Sequence, residues 1–245
     1  MTIDARSHGV LVWTTAPDRP EIIDRFDRYR SLLTDDEARR AARFVHFKDT
    51  ALFVVGRVLA KTMLSTYAGV RPHDWCFEMD EFGRPHLAQR PAGVPDLRFN
   101  LTHTAGLVAC AVSIGREVGV DVERIDRQLV HDIAERYFSE REVADLRALP
   151  LDEQEIVFFD YWTLKESYIK ARGLGLALPL GQFTFLRTPG CAPSITFAPE
   201  LRDDPTTWQF AQFWPTSEHR MAVAVRRTGR DLPIVVEAVV PEVPA

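Results

Sequence analysis

The feature that most constrains the fold is a set of helix signals that occurs twice, about 105 residues apart. Thr34-Asp35-Asp36-Glu37 and Ser139-Glu140-Arg141-Glu142 both have the S/T-x-x-E form of a capping box, which opens a helix. A longer helical stretch follows each box and stops at a glycine, Gly69 in the first copy and Gly173 in the second. The sequence therefore predicts two similar halves.

The segments around these signals complete the prediction of fold. The long helices are expected over residues 54–67 and about 153–172, and β-like segments follow at residues 107–112 and 221–225. We expect an α+β fold of two similar α/β halves arranged as a pseudo-dimer, with a ligand bound between them. The halves are residues 1–115, the N-terminal half, and residues 116–245, the C-terminal half, joined near residues 114–118.

Composition excludes several classes of protein. The net charge of −5 gives no support to nucleic-acid binding, and no run approaches the roughly 18 apolar residues of a membrane helix. The first residues show no basic segment followed by an apolar core, so no secretory signal is expected. Cys76, Cys110 and Cys191 are scattered, which argues against a disulfide framework and structural zinc. The simplest interpretation is a cytoplasmic protein.

The segment Val118-Gly119-Val120-Asp121-Val122-Glu123 alternates strictly between two kinds of residue, as a strand does. Asp121 and Glu123 project from one face, roughly 6.5–7 Å apart along the strand, and can share a divalent cation. Oxygen ligands of this kind suit Mg²⁺. The alternative is an edge strand with a solvated acidic face.

The second long helix carries Trp162, Glu166 and Lys170 at i, i+4 and i+8, on one side. The alternative here is an exposed Glu–Lys pair, worth about 0.2–0.5 kcal/mol. However, aromatic residues make this helix apolar nearly all round, which predicts burial, and buried charges need a partner or a ligand. Two of the four lysines of the chain, Lys165 and Lys170, lie here.

The first half carries scattered groups suited to a phosphate. Thr102 and His103 lie where a predicted strand enters a turn, and Phe82-Gly83-Arg84-Pro85 predicts a tight turn that presents an arginine. Arg57 lies within the first long helix, and Arg40 precedes it together with Arg39 and Arg43. Each of these residues, taken singly, is most often part of an ordinary surface or turn.

Together these segments resemble the 4′-phosphopantetheinyl transferases, in particular the monomeric class with two halves that activates peptide and polyketide synthases. The resemblance rests on the following segments, in the order of the family: Phe82-Gly83-Arg84-Pro85, Asn100-Leu101-Thr102-His103-Thr104, Gly119-Val120-Asp121-Val122-Glu123, Phe138-Ser139-Glu140-Arg141-Glu142 and Trp162-Thr163-Leu164-Lys165-Glu166-Ser167-Tyr168-Ile169-Lys170. Thr102 stands where the family has serine.

The resemblance implies a role for each candidate residue. Asp121, Glu123 and Glu166 look like the Mg²⁺ carboxylates, and Lys170 like the lysine on the pyrophosphate of coenzyme A. The other expected coenzyme A ligands are His103 and Thr102 at the 3′-phosphate, Arg84 near the adenine, Arg40 or Arg57 as the phosphate-binding arginine, and Lys165. Which arginine serves is left open.

The implied reaction is transfer of the 4′-phosphopantetheine arm from coenzyme A to a serine of an acyl or peptidyl carrier protein, with release of adenosine 3′,5′-bisphosphate. The general base is Glu166 or a metal-bound water. The expected partners are carrier domains of polyketide or non-ribosomal peptide synthases in secondary metabolite biosynthesis. The alternatives are an Mg²⁺-dependent phosphohydrolase and a non-catalytic module that binds coenzyme A or a carrier protein.

Overall fold

The structure, a computed structural model, describes residues 9–125, 130–175, 178–188 and 190–243. These residues form two compact units, one of residues 9–115 with 233–243, and one of the described residues between 116 and 232. The first unit's main segment ends where the sequence prediction placed the division. The prediction nevertheless assigned the last segment of the chain to the second half, and the structure places it in the first unit.

The first unit contains, in chain order, β1 (Val10–Thr15), α1 (Pro20–Ile23), α2 (Phe26–Arg30), α3 (Asp35–Ala41), α4 (Phe47–Ala68), β2 (Phe77–Met79), β3 (Pro85–Leu87), β4 (Leu97–Thr104), β5 (Leu107–Ile114) and, after the second unit, β11 (Ile234–Ala238). Four strands form one sheet in the order β11-β1-β5-β4. The strand predicted over residues 107–112 is confirmed as part of β5.

The last segment joins the first unit because β11 pairs in parallel with β1, with Val10 opposite Ile234. The hydroxyl of Tyr29 also donates to the carbonyl of Pro241 at 2.7 Å. Without β11, β1 would expose a row of unpaired backbone groups at the edge of the sheet. This strand was not predicted, although the β-branched residues at positions 234–236 are a sequence signal for it.

Helix α4 is the core helix of the first unit and ends at Gly69, whose φ of 62° is the left-handed conformation that favours glycine. The helix predicted over residues 54–67 is therefore confirmed, and it begins earlier, at Phe47. By length and hydropathy α4 would also pass as a membrane span, which was not expected from the sequence. Because 67% of its most apolar stretch is buried inside the structure, its apolar character is that of a core helix.

The second unit contains β6 (Val118–Arg124), α5 (Val130–Tyr137), α6 (Glu140–Arg147), α7 (Leu151–Arg172), β7 (Phe183–Leu186), β8 (Ser194–Phe197), β9 (Trp208–Thr216) and β10 (His219–Arg226). The antiparallel sheet has the order β6-β10-β9, and α7 packs on β6 and β10. The predicted strands at residues 118–123 and 221–225 are confirmed, as is the helix predicted to stop at Gly173.

The two units repeat one order of elements: a strand, a capped short helix, a long helix and two hairpins. In each sheet the first strand pairs antiparallel with the last strand of the second hairpin, β1 with β5 and β6 with β10. Both predicted capping boxes are present, with Thr34 accepting from the backbone of Glu37 and Ser139 from that of Glu142. The repeat that the helix signals predicted is therefore present in the structure as the same order and pairing of elements in both units.

Each capping-box glutamate also forms a buried ion pair with the long helix that follows. Lys61 Nζ lies 2.8 Å from Glu37 Oε2, and Lys165 Nζ lies 2.8 Å from Glu142 Oε2. Both lysines are fully buried. Removing one member of such a pair typically costs about 3–5 kcal/mol, because the other charge is left buried without compensation. The repeated box therefore fixes the short helix on the long one in both units.

Candidate active site

The acidic strand β6 is buried on both faces over most of its length. Val118, Val120 and Val122 are fully buried, as the alternation predicts. Asp121 on the opposite face is only 2% exposed, and Glu123 is half-buried. The alternative of a solvated acidic face is therefore wrong for Asp121, whose carboxylate belongs to the interior of the unit.

Asp121 is covered because α7 lies directly on this strand, and Gly119 makes that approach possible. A Cβ atom at position 119 would lie 2.1 Å from the carbonyl oxygen of Ser167 and 2.4 Å from the backbone nitrogen of Ala171. Only glycine leaves room for helix backbone at this distance. These two helix residues directly follow Glu166 and Lys170 in the chain, so the contact brings both side chains to the strand.

Helix α7 presents one partly open stripe on an otherwise buried stretch. Trp162, Glu166 and Lys170 are half-buried, whereas every other residue from 161 to 171 is buried. The predicted stripe at i, i+4 and i+8 is therefore confirmed, as is the burial predicted from the aromatic residues around it. The alternative of an ordinary exposed pair does not fit this environment.

The stripe on α7 meets the acidic strand at Asp121. Lys170 Nζ lies 2.5 Å from Asp121 Oδ1. Burial and the negative charge of Asp121 raise the pKa of Glu166 above its ordinary value, although the positive charge of Lys170 opposes them. Two carboxylates and one ammonium group are thus electrostatically coupled at one place in the second unit.

The donor set of Asp121 and Glu166 fits Mg²⁺ in chemistry. Within the described ranges, no group of three or more Asp, Glu, His or Cys side chains is already gathered as a metal cluster, so a third ligand from Glu123 stays a prediction. Mg²⁺ usually takes only one or two protein carboxylates and fills its octahedron with water and substrate phosphates. Asp121 and Glu166 meet that requirement.

The first unit has the same framework without these groups. Trp13 pairs with the fourth residue of β5, just as Asp121 pairs with the fourth residue of β10. Thr62 follows the buried lysine of α4, just as Glu166 follows the buried lysine of α7. At these two matched positions of the described residues, the carboxylates are present in the second unit and replaced by Trp13 and Thr62 in the first.

The first unit instead gathers arginines around the start of α4. Arg40 and Arg57 both lie over the ring of Phe53, with guanidinium carbons 5.3 and 5.2 Å from its centre. Arg39, Arg40 and Arg43 line an open depression together with Asp36 and Phe44. The structure thus gathers the arginines that the sequence placed before and within the first long helix, namely Arg39, Arg40, Arg43 and Arg57.

The two arginines that the sequence left as alternatives differ in burial. Arg40 is exposed, whereas Arg57 is 5% exposed and its Nε lies 3.6 Å from Glu37 Oε1. Burial lowers the pKa of Arg57, and Glu37 opposes that effect. Arg40 is therefore the more accessible of the two for a phosphate, and Arg57 is built into the core beneath it.

The predicted turns lie on strands of the first unit. Arg84 follows Gly83 (φ 79°) in the β2–β3 hairpin, where Asp80 accepts from the backbone of Arg84 at 2.8 Å, so the tight turn is confirmed. Thr102 and His103 lie near the end of β4, with Thr102 buried and His103 exposed.

Lys165 is the site prediction that the structure contradicts. Its ammonium group is fully buried and lies 2.8 Å from Glu142 Oε2, the carbonyl of Leu180 and the carbonyl of Phe183. An ammonium group has three donors, and all three are used here. Lys165 therefore holds α7 in place, and its ammonium group has no donor left for a phosphate. Gly119 was also missed from the sequence, although a glycine inside a strand pattern often marks a close backbone approach.

Comparisons with known proteins agree with this division of the chain. The family model described as 4′-phosphopantetheinyl transferase, N-terminal, matches residues 19–115, and the model of the 4′-phosphopantetheinyl transferase superfamily matches residues 117–224. The chain is 33% identical over 224 residues to the 4′-phosphopantetheinyl transferase HetI from Nostoc sp., covering 91% of this chain and 90% of that protein.

Two further relatives are also named as phosphopantetheinyl transferases. The 4′-phosphopantetheinyl transferase Sfp from Bacillus subtilis is 33% identical over 68% of this chain and 72% of its own length. The L-aminoadipate-semialdehyde dehydrogenase-phosphopantetheinyl transferase from Xenopus laevis is 27% identical over 78% of this chain and 67% of its own length.

This chain belongs to the 4′-phosphopantetheinyl transferase family. It is an enzyme of that type, which transfers the 4′-phosphopantetheine group from coenzyme A to a carrier protein. These matches lend no support to the phosphohydrolase or to the non-catalytic binding module.

Proposed function

We propose that the transfer is Mg²⁺-dependent and takes place at Asp121, Glu166 and Lys170 of the second unit. The observation that carries this proposal is the contact of Lys170 Nζ with Asp121 Oδ1 at 2.5 Å, beside Glu166, whose pKa is raised by burial and by the same aspartate. Opposite charges of this kind, partly buried and next to one another, suit a substrate that carries a pyrophosphate.

Asp121 and Glu166 are the residues that would hold the metal ion, with Glu123 at the half-buried end of the strand as the third carboxylate that the family resemblance implies. When bound, Mg²⁺ supplies positive charge against the pyrophosphate oxygens during phosphoryl transfer. Two carboxylates also leave room for phosphate oxygens among the ligands, which a full cage of protein ligands would not.

Lys170 binds the pyrophosphate of coenzyme A in this proposal. Its ammonium group brings a positive charge to the site and lies 2.5 Å from Asp121 Oδ1. Negative charge on the leaving phosphate grows as the bond breaks, so a cation fixed beside it stabilises the transition state more than the ground state.

Glu166 accepts the proton of the carrier serine. The serine oxygen forms a bond to the phosphorus that bears pantetheine, the bond from that phosphorus to the adenosine 3′,5′-bisphosphate oxygen breaks, and the serine proton passes to the Glu166 carboxylate. A raised pKa makes a carboxylate a stronger base, and burial and Asp121 both act in that direction here. Oriented groups of this kind typically contribute about 10²–10⁴-fold to a rate.

The first unit binds the 3′-phosphate of coenzyme A through Arg40 in this proposal. Arg40 is exposed, and Arg39 and Arg43 stand beside it in the same depression. His103 and Thr102, which the sequence assigned to this phosphate, and Arg84, which it assigned to the adenine, remain proposals. In this proposal Arg57 supports Arg40 from the core, because both guanidinium groups pack against the Phe53 ring.

The partners in this proposal are carrier domains of polyketide or non-ribosomal peptide synthases, and the enzyme acts as a monomer in the cytoplasm. Exposed free thiols at Cys76 and Cys191 fit a reducing compartment, where thiols stay reduced.

The proposal is tested by incubating the enzyme with coenzyme A, a panel of apo carrier proteins and titrated Mg²⁺, followed by intact mass of the carriers. The wild type should add one phosphopantetheine group to a carrier only when Mg²⁺ is present. Asp121→Ala should abolish the addition at ordinary Mg²⁺ concentrations. Near-normal transfer by Asp121→Ala, with an unchanged Mg²⁺ dependence, would reject this site.

A further inference from the structure

A single carboxylate, that of Asp203, collects hydrogen bonds from four side chains of the second unit. Asp203 lies in the loop between two 3₁₀ turns, Pro199–Leu201 and Pro205–Thr207, and its side chain is 6% exposed. Its side-chain donors are Tyr168 Oη at 2.8 Å, Arg172 Nη1 at 2.6 Å, Trp208 Nε1 at 2.9 Å and Arg226 Nη1 at 2.9 Å, and the backbone N–H of Asp204 donates as well. Four side chains from outside this loop therefore converge on one of its residues.

The four donors belong to the two layers of the unit. Tyr168 and Arg172 lie in the last part of α7, whereas Trp208 begins β9 and Arg226 ends β10. Strand β10 is the direct neighbour of the acidic strand β6. Asp203 therefore ties the helix that carries Glu166 and Lys170 to the sheet that carries Asp121.

The hydrogen bonds from Tyr168 and Arg172 to Asp203 lie on the face of α7 opposite the proposed site. Tyr168 and Arg172 are four residues apart and share a face, and Lys170 lies two residues from each, about 200° around the helix. Holding both residues therefore fixes the direction in which Lys170 points. Arg172 Nη1 also donates a hydrogen bond to Tyr168 Oη at 2.8 Å, so the two side chains are fixed relative to one another.

The charge of Asp203 suits this task. Burial alone would raise its pKa, but hydrogen bonds from Arg226, Tyr168 and Trp208 outweigh that effect and hold the pKa below its ordinary value. The carboxylate is therefore ionised throughout the neutral range, where it can bind both arginines. Gly119 sets the closest approach of α7 to β6, the buried Lys165–Glu142 ion pair holds the middle of the helix, and Asp203 holds its Lys170 end.

We infer that Asp203 is a positioning residue of the transfer reaction, which sets Lys170 and Glu166 of α7 against Asp121 of β6 without touching the substrate. The inference rests on the proposed function, since it takes Lys170 as the pyrophosphate ligand. It predicts that loss of the tie weakens coenzyme A binding and slows transfer in a protein that is still folded.

The test compares Asp203→Ala and Asp203→Asn with Asp204→Ala as the matched control. Asp204 is exposed and caps its own turn through Thr206, with no bond to α7. Three quantities are measured: the dissociation constant of coenzyme A by calorimetry without carrier, the transfer rate by intact mass, and the thermal midpoint by circular dichroism. All binding and transfer measurements are made well below every midpoint.

Asp203→Ala is expected to lose roughly 10- to 100-fold in transfer rate, since a misplacement of about 1 Å costs on the order of 10²-fold, and to bind coenzyme A more weakly. Asp203→Asn keeps an acceptor oxygen for Tyr168 or Trp208 but no charge for the arginines, so it should fall between Asp203→Ala and the wild type. Asp204→Ala should match the wild type in both quantities.

A purely structural role would lower the thermal midpoint and leave affinity and rate unchanged below it, and that outcome would overturn the inference. If Asp203→Ala does not fold, Asp203→Asn decides by the same criterion. Lys170→Ala separates the two proposals. Wild-type affinity for coenzyme A in Lys170→Ala would refute the proposed function, whereas a loss in Lys170→Ala with none in the folded Asp203 variants would refute only this inference.

Discussion

Replacing Gly119 by alanine should damage both the stability and the activity of the enzyme, because the added methyl group has no room. The new Cβ would lie 2.1 Å from the carbonyl oxygen of Ser167, 2.4 Å from the nitrogen of Ala171 and 3.1 Å from its Cα. All three are backbone atoms, so no side chain can turn away to make room. Reaching ordinary contact at 3.4 Å requires β6 and α7 to separate by about 1.3 Å, the difference from 2.1 Å.

That separation affects stability and activity through one movement. Forcing extra volume into a packed interior typically costs about 1–3 kcal/mol, and a clash with rigid backbone belongs at the upper end. The same shift carries Asp121 away from Lys170 and Glu166, whose chain neighbours are the clashing residues. A displacement of about 1 Å in such a site costs on the order of 10²-fold in rate. We therefore expect Gly119→Ala to fold with reduced stability and to transfer about 100-fold more slowly.

Denaturant unfolding measures the stability of this variant, and intact mass of a modified apo carrier protein measures its rate. Gly181→Ala is the matched control, because a Cβ at Gly181 meets no atom within 4 Å and the residue lies in the same unit. The control should keep wild-type stability and rate. Wild-type transfer by Gly119→Ala would show that the approach of α7 to β6 does not set the geometry of the site.

Three further predictions concern single charged groups. Lys165→Met should lower the free energy of unfolding by about 3–5 kcal/mol, because it leaves Glu142 buried and uncompensated; chemical denaturation checks this, and a loss below about 1 kcal/mol would contradict it. The pKa of Glu166 is raised in the folded state, so its ionisation at neutral pH lowers the stability of the folded enzyme. Glu166→Gln should therefore raise the unfolding midpoint at pH 7, and this gain should vanish as the pH falls below the unfolded pKa of about 4.3. A midpoint equal to that of the wild type at every pH would count against the raised pKa. Arg40→Ala should weaken binding of coenzyme A in calorimetry but not that of dephospho-coenzyme A, and equal losses for both would remove Arg40 from the 3′-phosphate.

Local signals in the sequence predicted much of the fold because helix starts and helix ends depend on residues that are close together in the chain. The capping boxes at Thr34 and Ser139 and the helix ends at Gly69 and Gly173 depend only on a few residues of chain. The pairing of β11 with β1 joins residues more than 200 positions apart, and no local pattern says which sheet edge a strand will cover. That is why the last segment was assigned to the wrong half.

The same distinction applies to the site. The stripe of Trp162, Glu166 and Lys170 follows from helical period, and the alternation of β6 placed Asp121 on the face opposite the valines. The role of Lys165 did not follow, because the partners that use its three donors lie on α6 and beyond the end of α7. Asp203 was also missed, since its four partners meet only in the folded unit.

In the proposed mechanism, transfer takes place at the acidic centre of the second unit and not at the equivalent position of the first. The most direct test is intact mass of an apo carrier protein incubated with coenzyme A, Mg²⁺ and either Glu166→Gln or Thr62→Ala, which alters the corresponding position of α4. We predict that Glu166→Gln leaves the carrier unmodified although it remains folded, and that Thr62→Ala adds phosphopantetheine as the wild type does. Wild-type modification by Glu166→Gln would contradict the account.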